Sequence, residues 1–198
     1  MRPLINLCVS ALLALVAGPA LSNCIDLTKG SSFNLTREEP RFTVTNTVFD
    51  DGTVLEQREM IRSGKVETVI TTYWNGVVPV DRKSSSSRVQ LKINADVKRS
   101  ELGKAGKSYS FPVAILVNGN EVDRGTYVIE TIRKTYLEIA GCRYSVMVVR
   151  KTIDRNNGDP INEEALLSLD AGILLGNVAM TPKWQAKHGV FFDKIEAN

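Results

Sequence analysis

A single histidine, His188, and three cysteines are all that this sequence offers among the side chains most used to hold metals. With one imidazole, and with cysteines whose expected fate is a disulfide, the usual zinc and copper sites are excluded and no cofactor is expected. A serine-based triad is excluded too, because no Gly-x-Ser-x-Gly elbow occurs and His188, between Lys187 and Gly189, is expected to be exposed. Aromatic residues make up only 7% of the chain and are not interleaved with its basic residues, which argues against single-stranded nucleic acid as a partner. Beyond the N-terminus no apolar run is long enough to span a bilayer. Ala171 to Met180 comes nearest, and Gly172, Gly176 and Asn177 interrupt it.

Three partial motifs also fall short. Gly106-Lys107-Ser108 imitates the end of a phosphate-binding loop, but Glu101 stands where that loop needs its first glycine, and a strand rather than a helix is expected to follow. Asp154 to Asp159 resembles the start of a calcium loop. Asp159 occupies the glycine position and Ala165 the position of the bidentate glutamate, so a hairpin loop held by Asn and Asp turn chemistry is the better reading. Glu56, Glu59 and Glu67 lie on expected neighbouring strands, but a glycosidase-type pair is defined by a separation that sequence does not contain. The expectation is therefore a domain without catalytic residues.

What is present begins at residue 1. Arg2 supplies a positive start, Leu4 to Ala17 is apolar apart from Asn6 and Ser10, Gly18-Pro19 breaks the run, and Ala20-Leu21-Ser22 offers small residues where a signal peptidase reads them. Residues 1–22 are thus expected to be a signal peptide, and residues 23–198 a single extracytoplasmic domain, periplasmic or secreted. Lipidation of Cys24 is the weaker reading, because Asn23 fits poorly just before a lipidated cysteine. Cys8 leaves with the signal, so Cys24 and Cys142 can form only one bridge in an oxidising compartment. Closing so long a loop is worth up to about 4.7 kcal/mol in the chain-entropy model.

The rest of the chain alternates β-rich runs with turn dipeptides. Phe42 to Phe49, Thr53 to Arg62 and Val66 to Trp74 are separated by Asp50-Asp51-Gly52 and Ser63-Gly64, and Asn75-Gly76 leads into Val77 to Val80. Asn118-Gly119 and Asn157-Gly158 repeat the signal, since Asn-Gly accepts the positive φ angles of a tight hairpin turn. Cys142 to Arg150 alternates only partly, as a strand covered on both faces would. Pro160 to Leu169, with Glu163 and Glu164 near its start, is read as one or two helical turns. The expected fold is mainly β: an antiparallel meander forming a curved sheet, sandwich or open barrel, with at most one or two short helices.

The most unusual composition lies between residues 82 and 107, expected to be a polar, basic insertion. Losing Arg2 lowers the formal charge of +3 by one, too small a total to imply a polyanion partner, but this segment concentrates Arg82, Lys83, Arg88, Lys98 and Arg99. Those five are the candidate anion-binding residues, for an anionic envelope component or another envelope protein. The expected function is binding. The alternative is a carrier holding a lipid or other hydrophobic ligand in an apolar cavity of the curved sheet. The glycine-containing stretch near Gly172 and Gly176 is the next surface to consider.

Overall fold

Thirteen antiparallel strands fold into one sheet in the computed structural model, which describes residues 24–62 and 64–198. The expected signal peptide and its cleavage point lie outside the described residues. In chain order the strands are β1 (Ser32–Arg37), β2 (Phe42–Val48), β3 (Thr53–Arg62), β4 (Lys65–Trp74), β5 (Val78–Lys83), β6 (Arg88–Ile93), β7 (Ser108–Val117), β8 (Asn120–Ile139), β9 (Cys142–Arg155), β10 (Ile161–Ser168), β11 (Leu174–Met180), β12 (Ala186–Phe191) and β13 (Lys194–Ala197). From β1 to β12 each strand pairs with the next, and β13 returns to pair with β1. This is the mainly β, antiparallel meander expected from the spacing of turns. Among the described residues the one helical element is a short 3₁₀ helix, Ala95–Arg99. Among the described residues no helix is long and apolar enough to cross a membrane.

The sheet curves until its two edges meet through the chain itself. β12 and β13 are not hydrogen-bonded to each other, so no ladder closes a barrel, yet only Phe192 and Asp193 separate them. The Asp193 N–H donates to the Thr36 carbonyl at 2.8 Å, and the Arg37 guanidinium donates to the Gly189 carbonyl at 3.2 Å. Both contacts tie β1 and the residues beyond it to the far end of the sheet.

Turn chemistry sets the reversals. Asn75-Gly76 and Asn118-Gly119 both take positive φ at each residue, as a type I′ hairpin requires. Gly76 has a second reason to be glycine: a Cβ there would lie 2.0 Å from the Gly172 carbonyl oxygen. The β4–β5 turn therefore packs its backbone directly against the β10–β11 turn. Beside it the Tyr127 hydroxyl donates to the Val77 carbonyl at 3.3 Å.

Two apolar clusters make the core. Phe33, Leu35, Val44, Ile139, Tyr144, Val146, Ile173 and Leu175 belong to one, and Val77, Val78, Val97, Tyr127, Ile129, Met147 and Val149 to the other. β9 contributes Tyr144 and Val146 to the first and Met147 and Val149 to the second, so it is covered on both faces, as its incomplete alternation implied. A disulfide joins Cys24 to Cys142, with Cα atoms 5.5 Å apart, and fastens the N-terminal segment beside buried Leu27 to the start of β9.

One expectation is corrected. The stretch from Pro160 to Leu169 is not helical; Ile161–Ser168 is strand β10, paired with β9 on one side and β11 on the other. A proline and two glutamates suit a first helical turn, but ladders on both sides hold the segment extended and local preference yields to them. The basic stretch between 82 and 107 is woven into the sheet: Arg82 and Lys83 end β5, Arg88–Ile93 is β6, and the 3₁₀ helix buries Val97 in the second cluster.

Candidate functional site

Strand register, rather than any local motif, assembles the most unusual site. Asn46 on β2 pairs with Glu56 on β3, Glu56 with Thr71 on β4, and Thr71 with Arg82 on β5. Directly opposed residues point to the same face of a sheet, so these four form one polar row on the inner face. On the other side of the hollow Lys151 of β9 is opposed to Glu163 of β10.

Between these walls lies a cavity of about 310 Å³. Its polar lining includes Glu56, Arg58, Thr71, Tyr73, Arg82, Lys151, Glu163 and Asn177, and its apolar lining includes Val89, Leu91, Ile153, Leu174, Val190 and Phe192. Both core clusters contribute lining, Leu91 and Leu174 from one and Phe192 and Val190 from the other. Gly176 also lines it; a Cβ there would come within 3.0 Å of the Phe191 ring.

The burial of charge in this hollow is unusual. Lys151 is 4% exposed, Glu56 6% and Thr71 2%. An isolated ion so deeply placed is strongly unfavourable unless paired. Lys151 Nζ is 2.7 Å from Glu163 Oε2, and Arg58 Nη2 is 3.2 Å from Glu56 Oε1. The Lys151 ammonium holds the Glu163 carboxyl below the ordinary carboxylate range, against the opposing effect of burial; Asn177 adds a hydrogen bond in the same direction as Lys151. Burial pushes the Tyr73 phenol well up, and the Glu56 charge adds to it, so Tyr73 remains a neutral hydrogen-bonding group. The Arg58 guanidinium also stacks on Phe42, 5.5 Å from the ring centroid, and Phe42 meets Phe192 edge-on at 5.8 Å.

Not every polar atom is satisfied. Arg58 Nε, Asn46 Nδ2 and Asn177 Oδ1 are buried without a hydrogen-bond partner among the described residues. Buried polar atoms are almost always paired in native proteins, so three orphans in or beside one cavity mark it.

The five basic residues singled out in the sequence do not share one surface. Arg82 lines the cavity. Lys83 follows it along the strand, on the opposite face, directly across from Arg88. Arg88 is held by Asp81 through two hydrogen bonds, of 2.9 and 2.6 Å. Lys98 lies 2.7 Å from Asp51 and over the Trp74 ring, while Arg99 pairs with Asp96. Of the carboxylates considered in the sequence, Glu56 is buried at the cavity and Glu59 is exposed on the other face. His188 is exposed on β12. The Asp154–Asp159 stretch forms the β9–β10 hairpin loop, where the Arg155 Nε donates to the Asp159 carbonyl at 2.8 Å. Among the described residues no group of three His, Cys, Asp or Glu side chains is placed to hold a metal ion.

Comparison with protein-family models and with curated protein sequences finds no match. The site's meaning must therefore come from its chemistry.

Arg58 and Lys151 are the cavity cations that sequence reasoning missed, although a signal existed. Val54, Glu56, Arg58 and Met60 share one face of β3, and Met147, Val149, Lys151 and Ile153 share one face of β9. A charge at a core position of an alternating strand is a candidate for function or pairing.

Proposed function

We propose that this chain is an exported binding domain, periplasmic or secreted, that holds a small amphipathic ligand in the cavity of its curved sheet. The cavity carries the reading. Its volume of about 310 Å³ falls at the lower end of ligand sites, and apolar walls with a few convergent polar groups are what such sites share. A closed apolar core would have no use for buried Lys151 and Glu56 or half-buried Arg58, since well-packed hydrophobic residues are often as stable or more so. Export is supported by the order of charged, apolar and small residues over 1–22, and a disulfide fits an oxidising compartment. The basic segment is a weaker basis for an envelope partner, because Arg88, Lys98 and Arg99 already face carboxylates.

The test is native mass spectrometry of protein recovered from the cell envelope, alongside a Val190→Trp variant that fills the hollow from β12. The wild-type chain should start at or near Asn23 and carry a small molecule that the variant, with unchanged circular dichroism, has lost. Equal ligand content in the two proteins would remove the cavity as the binding site. An intact Met1 on folded material would remove the export reading.

A further inference from the structure

We infer that the ligand carries a single carboxylate on one apolar chain, and that Arg82 and Arg58 receive that carboxylate. The inference rests on the cavity being a binding site, and charge is its first support. The lining holds three cations, Arg58, Arg82 and Lys151, against two carboxylates, Glu56 and Glu163. Lys151 is paired with Glu163 and Arg58 with Glu56. Arg82 makes no close ion pair among the described residues and acts on Glu163 only at longer range, so the lining keeps one net positive charge. A cationic ligand would add to that excess, and a neutral one would leave it unchanged.

Hydrogen bonding gives the second support. Arg58 Nε is a buried donor without an acceptor, and Asn46 Nδ2, in the adjoining polar row, is another. The orphan acceptor, Asn177 Oδ1, stands on β11, the neighbour of the strand that carries Glu163. Donors thus accumulate on β2 to β5, where Thr71 of β4 stands directly opposite Arg82 of β5, and Arg58 of β3 lies two residues further along the same face. Two strand spacings across and two residues along separate the arginine backbones by about 12 Å, a gap that two long side chains close around one oxyanion. Arginine's planar fork suits a carboxylate, and charge-assisted bonds of this kind are the strong ones.

Shape and lining supply the third. Val89, Leu91, Ile153, Leu174, Val190 and Phe192 give the rest of the hollow an apolar wall. A volume of about 310 Å³ lies at the lower end of the range for ligand sites. That is room for one short chain and not for a two-chain lipid.

Calorimetric titration of the disulfide-bonded protein with octanoate, octanol, octylamine and acetate separates the possibilities. Octanoate should bind about tenfold or more tightly than octanol or octylamine, and acetate should not bind measurably. Arg82→Gln, a change at an exposed side chain, should erase the preference for octanoate and leave octanol binding as it was; Arg58→Gln should do the same if it folds. Octanol binding as tightly as octanoate would overturn the carboxylate while leaving the cavity a binding site. Acetate binding as well as octanoate would overturn the apolar chain. No binding by any of the four, to wild type or variant, would overturn the cavity reading and this inference with it.

Discussion

Glu163→Gln tests how dry the floor of the cavity is. The substitution keeps the shape of the side chain and removes the charge opposite Lys151, which is only 4% exposed. Breaking a fully buried pair by removing one partner costs about 3–5 kcal/mol, because the remaining ion is left without compensation. The Glu163 side chain is 34% exposed, toward the hollow it lines, so water screens part of that interaction. The expected loss falls to about 2 kcal/mol, which for a domain of this size lowers the melting temperature by about 4–8 °C. Lys151→Met should cost less, about 1 kcal/mol or under, because it removes the deeply buried ion and leaves the carboxylate that water can reach. The order of the two variants in urea unfolding is the diagnostic. If Lys151→Met is the more damaging, or if Glu163→Gln is neutral, the ammonium is hydrated and the reasoning about this wall fails. The pH dependence carries a sign as well. Lys151 depresses the Glu163 carboxyl in the folded state, so the stabilisation is complete above the unfolded value of about 4.3 and is lost as pH falls through the lower folded value. The penalty of Glu163→Gln should therefore be constant near neutrality and shrink at acid pH below about 4.

Two further outcomes follow from the frame around the cavity. The disulfide spans 118 residues, and the loop-closure estimate for that length is about 5 kcal/mol, so Cys142→Ser should lower the unfolding midpoint substantially under non-reducing conditions; quantitative alkylation of both thiols in the unreduced protein would refute the pairing. Gly76→Ala places a Cβ 2.0 Å from the Gly172 carbonyl at a φ of 67°, and it should destabilise by more than the about 1 kcal/mol typical of point changes, whereas Gly119→Ala has the strained φ without the clash and should cost less; equal midpoints for the two variants would refute the contact between the turns.

Much of the architecture is local information. Asn75-Gly76 and Asn118-Gly119 carry hairpin geometry in two residues each, and the β-branched runs between turns can do little else than pair with their neighbours, so a meander follows. With Cys8 assigned to the expected signal peptide, the cysteines left one pairing, Cys24 with Cys142, and that is the one observed. Where local chemistry was ambiguous, the reading failed: Pro160-Ile161-Asn162-Glu163-Glu164 suits a helix start as well as a strand, and only the ladders from β9 and β11 decide it.

The cavity belongs to the other category. Nothing near Arg82 in the sequence distinguishes it from Lys83, yet the pleat sends one into the hollow and the other to the outer face. Thr71 and Arg82, or Lys151 and Glu163, become neighbours through register, and the two walls face each other only because the sheet curves until β12 runs on into β13. Composition and turns determined that this chain is a sheet; the sheet's curvature decided which charges are buried together, because sequence records each strand's own alternation and not which distant strand it will face.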